Sequence, residues 1–229
     1  MATCKVFSEK EDWKKFRAGF FTASEISKLL TEPRKKGELL SVGAKTYIKS
    51  CVSELFAPPK PDFYNSAMEH GTETEPFAVM RVARELGKDM HDDNFIYTSE
   101  GGFVFYYNEE YNLGGTPDLI LFDDKMICEI KCPNSDTHLD YLLLENAADV
   151  YDAVPNYYGQ MQLNMFLTET DKCLFISYDN RFYDESHHYH SVLVPRDEDY
   201  ILNMLDKAKK AKEYKENLIK ILNQKSTKK

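Results

Sequence analysis

The stretch that most restricts what this chain can become is Gly114–Pro133, GGTPDLILFDDKMICEIKCP. Two apolar runs, Leu119–Phe122 and Met126–Cys132, flank the turn-forming triplet Asp123-Asp124-Lys125, so the segment predicts a β-hairpin. Side chains alternate along a strand, which puts Glu129 and Lys131 on one face and Cys128 and Ile130 on the other, toward a core. Asp118 opens the first strand eleven residues before Glu129, a separation that a tight hairpin folds back on itself. Two carboxylates and an ammonium then converge at one end of a sheet.

Such a group has a plain reading, a surface Glu–Lys pair on an ordinary strand, and a chemical one. The strand is otherwise apolar, and charges there are costly unless used. Paired carboxylates suit Mg²⁺, with Mn²⁺ as a substitute. A metal so held polarises a phosphodiester and generates hydroxide near neutral pH. Lys131 can orient the attacking water or stabilise charge on the phosphate oxygens.

The chain has 229 residues, enough for a single domain with a full core. No apolar run approaches the roughly 18 residues that would span a membrane, and Met1–Lys5 leads directly into charged sequence without a visible signal peptide. Five scattered cysteines, an odd number, argue against a disulfide framework and for a reducing, cytoplasmic compartment. Cys128 and Cys132 lack the second pair that a metal site would need and read as buried thiols. The formal charge of −9 is unusual for a protein that handles nucleic acid. Its distribution is uneven, because residues 206–229 hold nine lysines against three acids. Any DNA-binding surface must therefore be a local basic lining.

In chain order, Trp13, Phe16 and Phe20 have helical spacing within Glu9–Phe21. Thr22-x-x-Glu25 predicts a capping box that starts a helix burying Ile26, Leu29 and Leu30. With Ser24 in its first turn and Arg17 just before it, that helix either holds a phosphate at its N-terminus or is a capped helix beside a surface arginine. Pro33–Gly37 is a basic loop. Ala44–Phe56 predicts a helix ended by Pro58-Pro59. Asn65–Leu86 predicts another, carrying Glu75, with a kink or fresh start at Pro76 near Thr74 and an end at Gly87. Phe95–Tyr97 and Gly102–Tyr107 predict strands. A loop and a short helix around Leu139–Ala148 are expected next, then a helix over Asn156–Leu167. Lys172–Tyr178 and Tyr189–Val194 predict strands, with His187, His188 and His190 as ordinary residues rather than a metal cluster. A long helix, Asp197–Leu222, closes the chain, and residues 220–229 are expected to fray.

Together these residues resemble the lambda-exonuclease (YqaJ-type viral recombinase) family of the PD-(D/E)XK nuclease superfamily. The resemblance rests on Trp13-x-x-x-Arg17-x-Gly19-x-x-Thr22-Ala23-Ser24-Glu25, Gly71-x-x-x-Glu75, Thr116-Pro117-Asp118, Glu129-Ile130-Lys131-Cys132-Pro133 and Tyr157-x-x-Gln160-x-Gln162. It implies an α/β (α+β) fold, a mixed central sheet flanked by helices in the manner of restriction endonucleases. The activity it implies is Mg²⁺-dependent 5′→3′ digestion of one strand of linear duplex DNA, leaving a 3′ single-stranded overhang for recombination by strand annealing. A ring-shaped homotrimer around DNA ends and a single-strand annealing partner are implied as well. By resemblance Asp118 and Glu129 bind metal, Glu75 supports the metal or its water, Lys131 assists the nucleophile, Gln160 orients the site, and Arg17 and Ser24 hold the 5′ phosphate. The further acid of the family has no clean match, and Glu100, near its place, is not carried over. The alternatives are an endonuclease or repair nuclease of the superfamily, or a catalytically silent DNA-binding protein.

Overall fold

The computed structural model describes residues 2–58, 66–100 and 102–226. Elements along the chain are β1 (Thr3–Phe7), α1 (Lys10–Arg17), β2 (Phe21–Thr22), α2 (Ser27–Leu30), α3 (Val42–Glu54), α4 (Ser66–Leu86), β3 (Phe95–Tyr97), β4 (Phe103–Asn108) and β5 (Leu113–Gly115). They continue with β6 (Leu119–Leu121), β7 (Met126–Lys131), α5 (Ser135–Leu142), α6 (Ala147–Ala153), α7 (Pro155–Thr168), β8 (Lys172–Tyr178), β9 (Tyr189–Pro195) and α8 (Glu198–Ser226).

The hairpin forms as its pattern predicts. β6 and β7 pair antiparallel with Leu119 opposite Cys128, and Lys125 closes the turn in the left-handed region, its N–H donating to the Phe122 carbonyl. Among the described residues the hairpin sits inside a five-stranded mixed sheet ordered β3-β6-β7-β8-β9, in which β7 and β8 run parallel. Both faces of β7 are covered. Ile127 packs toward α7 with Ile120 and Phe175, while Cys128 and Ile130 pack toward Ala78, Val79 and Val82 of α4. Each fully buried aliphatic here contributes about 1.5–3 kcal/mol, which fixes the strand that carries the charges.

A second mixed sheet, β1-β4-β5-β2, lies N-terminal to the hairpin. β2 and β5 pair in parallel, Thr22 opposite Gly114, so the chain passes from this sheet through Thr116-Pro117 directly into Asp118. β1, β2 and β5 were not expected. β1 is mostly exposed, β2 has two residues, and β5 contains two glycines, residues that strands disfavour. Those glycines have a packing reason. A Cβ on Gly114 would stand 2.1 Å from the Phe105 ring, and one on Gly115 2.3 Å from Asn164 of α7. Their absence lets the helix and the ring close on β5.

Other expectations are corrected. α1 ends at Arg17, not Phe21, because Gly19 turns the chain at φ +80; Phe20 instead stacks back on Phe16. The capping box does not form. The Thr22 N–H donates to the Tyr47 hydroxyl, Glu25 pairs with Lys28, and Ala23–Glu25 is a 3-10 turn leading into the short α2. Ile26 and Leu29 are nonetheless buried. α4 runs through Pro76 without a fresh start. Two helices, α5 and α6, replace the one expected over Leu139–Ala148, each capped by an asparagine, Asn134 and Asn146. α8 remains helical to Ser226. Pro59, Asn65 and residues 227–229 lie outside the described residues.

The exit of β7 is pinned. Asp179, after β8, accepts from the Ser135 hydroxyl at 2.7 Å and from Arg181 at 2.7 and 2.9 Å, and Arg181 donates onward to the Pro133 carbonyl at 2.7 Å. Although burial opposes ionisation, these donors hold the Asp179 carboxyl down to about 2.

Gly114→Ala is expected to destabilise the fold by about 1–3 kcal/mol through overpacking against Phe105. Gly43→Ala on α3, where an added Cβ meets nothing nearer than 3.8 Å, should be neutral or gain up to about 1 kcal/mol. Denaturant unfolding of the two variants beside the parent protein measures both.

Candidate active site

The antiparallel register of the hairpin, continued by one residue, sets Asp118 opposite Glu129. Asp118 is held there on both sides. Its Oδ2 accepts the Ile130 N–H at 2.6 Å. The Thr98 hydroxyl donates to the Pro117 carbonyl at 2.6 Å, and the Thr98 N–H to the Asp118 carbonyl at 3.2 Å. Glu129 is fully enclosed, at 0% exposure. One of its oxygens, Oε1, accepts from the Lys131 ammonium and from Gln160 Nε2, the latter at 2.6 Å. The other, Oε2, is buried with no hydrogen-bond partner.

Lys131 shares the face of Glu129 and lies over the Tyr157 ring, 4.7 Å from its centroid. Tyr157 and Gln160 are three residues apart on α7, hence on one side of that helix. From α4, Glu75 enters the same cleft. Its Oε1 accepts from the Tyr97 hydroxyl at 2.9 Å and from Ser99 at 3.5 Å. The cleft has a volume of about 510 Å³, and Glu75, Lys131, Tyr141 and Tyr157 line it. Glu100 is exposed, in the bend that follows Ser99.

The electrostatics follow from burial and crowding. Burial raises the Glu129 carboxyl to about 7, with Asp118 and Glu75 adding to the rise and Lys131 opposing it. Burial also raises Asp118, against Lys131 and the Ile130 N–H. Glu75 is raised by burial and by Asp118. Burial works against the Lys131 ammonium, but Glu129 and Asp118 outweigh it and hold the group above its usual range. Three carboxylates that disfavour one another's charge, with one buried oxygen unpartnered, suit a hard cation. Among the described residues no three acidic, histidine or cysteine side chains are gathered into a finished metal cage. The oxygens are instead engaged by Ile130, Lys131, Gln160 and Tyr97, which a cation would displace or share. His188 and His190 each donate a ring N–H to a backbone carbonyl, that of Phe182 and that of Leu144, at 2.7 Å.

The N-terminal candidates are brought together only in part. Arg17 lies over the Trp13 ring at 4.6 Å and opens into a second cavity of about 690 Å³, lined also by Thr22, Lys28, Tyr47 and Glu54. Burial lowers the Arg17 pKa while Glu54 opposes the shift. Ser24 is exposed and does not line this cavity. The helix N-terminus expected beside Arg17 is replaced by the 3-10 turn. Sequence reasoning passed over Tyr97, Tyr47 and Glu54, for which local pattern offers no signal. Tyr157 was visible only as the residue one turn before Gln160. Gln162, from the same stretch, is structural: it donates to the Pro195 carbonyl at 2.9 Å and accepts the Asp197 N–H at 2.9 Å.

Comparison with known proteins bears on this geometry. The fold is similar to that of LHK-Exo, an alkaline exonuclease from Laribacter hongkongensis, at 26% identity over 96% of this chain and 99% of that one, with a TM-score of 0.71. LHK-Exo in complex with dAMP gives a TM-score of 0.72 at the same identity and coverage. A phage-related exonuclease from Haemophilus somnus 129PT, 17% identical over 89% of this chain and 96% of its own, shares the fold at a TM-score of 0.67. No curated protein matches the chain by sequence. The YqaJ-like viral recombinase domain family matches residues 12–171, a span that holds Arg17, Glu75, the whole β6–β7 hairpin and Gln160. With its acids opposed across that hairpin, the chain belongs to the YqaJ-like viral recombinase domain family.

Proposed function

We propose that this protein is a Mg²⁺-dependent exonuclease that digests one strand of linear duplex DNA from its 5′ end and leaves a 3′ overhang for strand annealing. The observation that carries the reading is the pairing of Asp118 with Glu129 across the hairpin, with Lys131 and Glu75 in the same cleft, on a chain similar throughout its length to an alkaline exonuclease. Asp118, Glu129 and Glu75 would hold the metal, and the unpartnered Glu129 Oε2 supports that assignment. A divalent ion bound there supplies Lewis-acid polarisation of the phosphodiester and a more acidic water.

The protein groups perform the rest. Lys131 presents a fixed ammonium, held by Glu129 and Tyr157, that hydrogen-bonds the incoming water or a phosphate oxygen. Gln160 and Tyr97 keep Glu129 and Glu75 in place, so that little reorganisation remains when charge develops. Arg17, stacked on Trp13, would take the terminal 5′ phosphate in a charge-assisted, bidentate contact, with Ser24 at most a peripheral aid. Digestion to mononucleotides agrees with the dAMP bound by LHK-Exo. No helix among the described residues is long and apolar enough to cross a membrane, and the work is assigned to the cytoplasm, together with a single-strand annealing partner. A homotrimeric ring is supported by the acidic charge, which needs an enclosed lining to retain DNA, and by Phe77 and Met80, exposed one turn apart on α4.

Asp118→Ala or Glu129→Ala should lower cleavage of linear duplex by at least about a thousandfold with the fold intact, and Lys131→Ala nearly as much. EDTA should stop the parent enzyme, and Mg²⁺ or Mn²⁺ should restore it. Near-normal turnover by either acid variant, with circular dichroism unchanged, refutes the assignment. A 5′-phosphoryl end should be digested faster than a 5′-hydroxyl end by roughly one to two orders of magnitude, the worth of one charge-assisted contact. Arg17→Ala should erase most of that ratio; an equal ratio in both proteins removes Arg17 from the reading. Light scattering at assay concentration should give the mass of three chains, and a strict monomer that still degrades long duplexes without dissociating would rule out the ring.

A further inference from the structure

Beyond the cleft and the Arg17 cavity, one of the buried charges that neither uses is bonded to neutral oxygens. Lys215, in the second half of α8, is 8% exposed. Its ammonium donates to two neutral oxygens, the Gly19 carbonyl at 2.6 Å and Asn112 Oδ1 at 2.9 Å. Asn112, in the β4–β5 turn, also donates through Nδ2 to the Gly19 carbonyl at 2.9 Å, and its backbone sits at φ 55. The Gly19 N–H is held as well, by Glu54 Oε2 at 3.1 Å. Thus both backbone polar atoms of Gly19, two residues beyond Arg17 and three before Thr22, are clamped from three distant elements.

Burying an ammonium against neutral carbonyls is a poor way to hold a helix, since an apolar side chain of similar size would pack at less cost. The position of the charge gives it a use. The Gly19 turn carries Arg17 into the cavity, where Glu25 is paired with Lys28 while Glu54, the other carboxylate, holds the Gly19 N–H on the same residue whose carbonyl Lys215 holds. A cavity meant for a phosphate can tolerate a carboxylate only if a cation beside it offsets the charge. Other lysines of α8 make different contacts: Lys207 pairs with Glu32 at 2.8 Å, and Lys212 donates to the Glu109 and Glu110 carbonyls.

We propose that Lys215 is a positioning residue for recognition of the DNA 5′ end: through the Gly19 carbonyl and Asn112 it sets the turn that aims Arg17, and its charge offsets Glu54 so that the cavity accepts a phosphate. The inference rests on the reading of the Arg17 cavity given above. Its test uses the full chain with Mg²⁺ and one duplex sequence carrying either a 5′ phosphate or a 5′ hydroxyl. Lys215→Met removes the charge at similar length. Asn112→Gly keeps the left-handed backbone and removes both side-chain bonds, and it serves if the lysine variant fails to fold. The phosphoryl-to-hydroxyl rate ratio should fall about tenfold in either variant, the scale of one misaligned charge-assisted contact. The loss should appear as a higher KM for the phosphorylated duplex, with kcat within about twofold of the parent. A variant that slows both substrates equally, or that only lowers Tm, overturns the assignment, because a purely structural tie would do that. A parent protein without any 5′-phosphate preference overturns the Arg17 reading itself, and the Lys215 role with it. A preference retained in both variants overturns the Lys215 role alone.

Discussion

The cleft depends on negative charge buried on an apolar strand. Glu129 has no access to water, faces Asp118 across the hairpin and has Glu75 nearby. Left to itself such a group would protonate or pull the strand apart. Lys131 and Gln160 hold it short of that outcome, as the Ile130 N–H does for Asp118, with the Glu129 carboxyl raised to about 7 and one of its oxygens unpartnered. An apolar residue in its place would serve stability better. The surrounding residues can bear the cost because Leu119, Ile120 and Ile127 anchor the hairpin wholly out of water. The groups that touch the acids, including Tyr97 on Glu75, therefore act less as stabilisers than as restraints on where the charges may point.

A second constraint joins the cleft to the Arg17 cavity. β5 pairs in parallel with β2, which follows the Gly19 turn, and three residues after β5 the chain reaches Asp118. No loop intervenes to let the two regions drift. α7 reinforces the link from the other side: Asn164 presses against Gly115, and Gln160, one turn earlier, contacts Glu129. On the proposed function, in which a strand end is gripped and a bond a fixed distance away is hydrolysed, such a rigid spacer is needed, since misplacement by about 1 Å can cost a hundredfold in rate.

The parts legible in sequence were those specified locally. Apolar runs on either side of Asp123-Asp124-Lys125 made the hairpin legible, and with it the convergence of Asp118, Glu129 and Lys131. The parts that misled were specified at a distance. Thr22-x-x-Glu25 is a sound capping box by pattern, but the N–H it should engage is taken by Tyr47, twenty-five residues away. β5 is concealed by the very glycines that let Phe105 and α7 approach it. α1 stops early because Gly19 turns, and that turn is held by residues of α3, the β4–β5 turn and α8.

The lysine-rich helix shows the same effect in electrostatic form. Counted in sequence, residues 206–229, with nine lysines against three acids, make a local basic reserve. In the fold, Lys207 is tied to Glu32, Lys209 approaches Glu110, Lys210 pairs with Asp206, and Lys212 and Lys215 bond backbone oxygens of neighbouring turns. Cations engaged in this way neutralise few phosphates, so they release few counterions on binding DNA and contribute little to affinity from an open surface. On the proposed reading, a chain of net charge −9 cannot hold a duplex by its general field. It must hold it through a specific contact at the strand end and through geometry that keeps the duplex from leaving. The engagement of the lysines from Lys207 to Lys215 and the support given to one arginine are then two sides of one design.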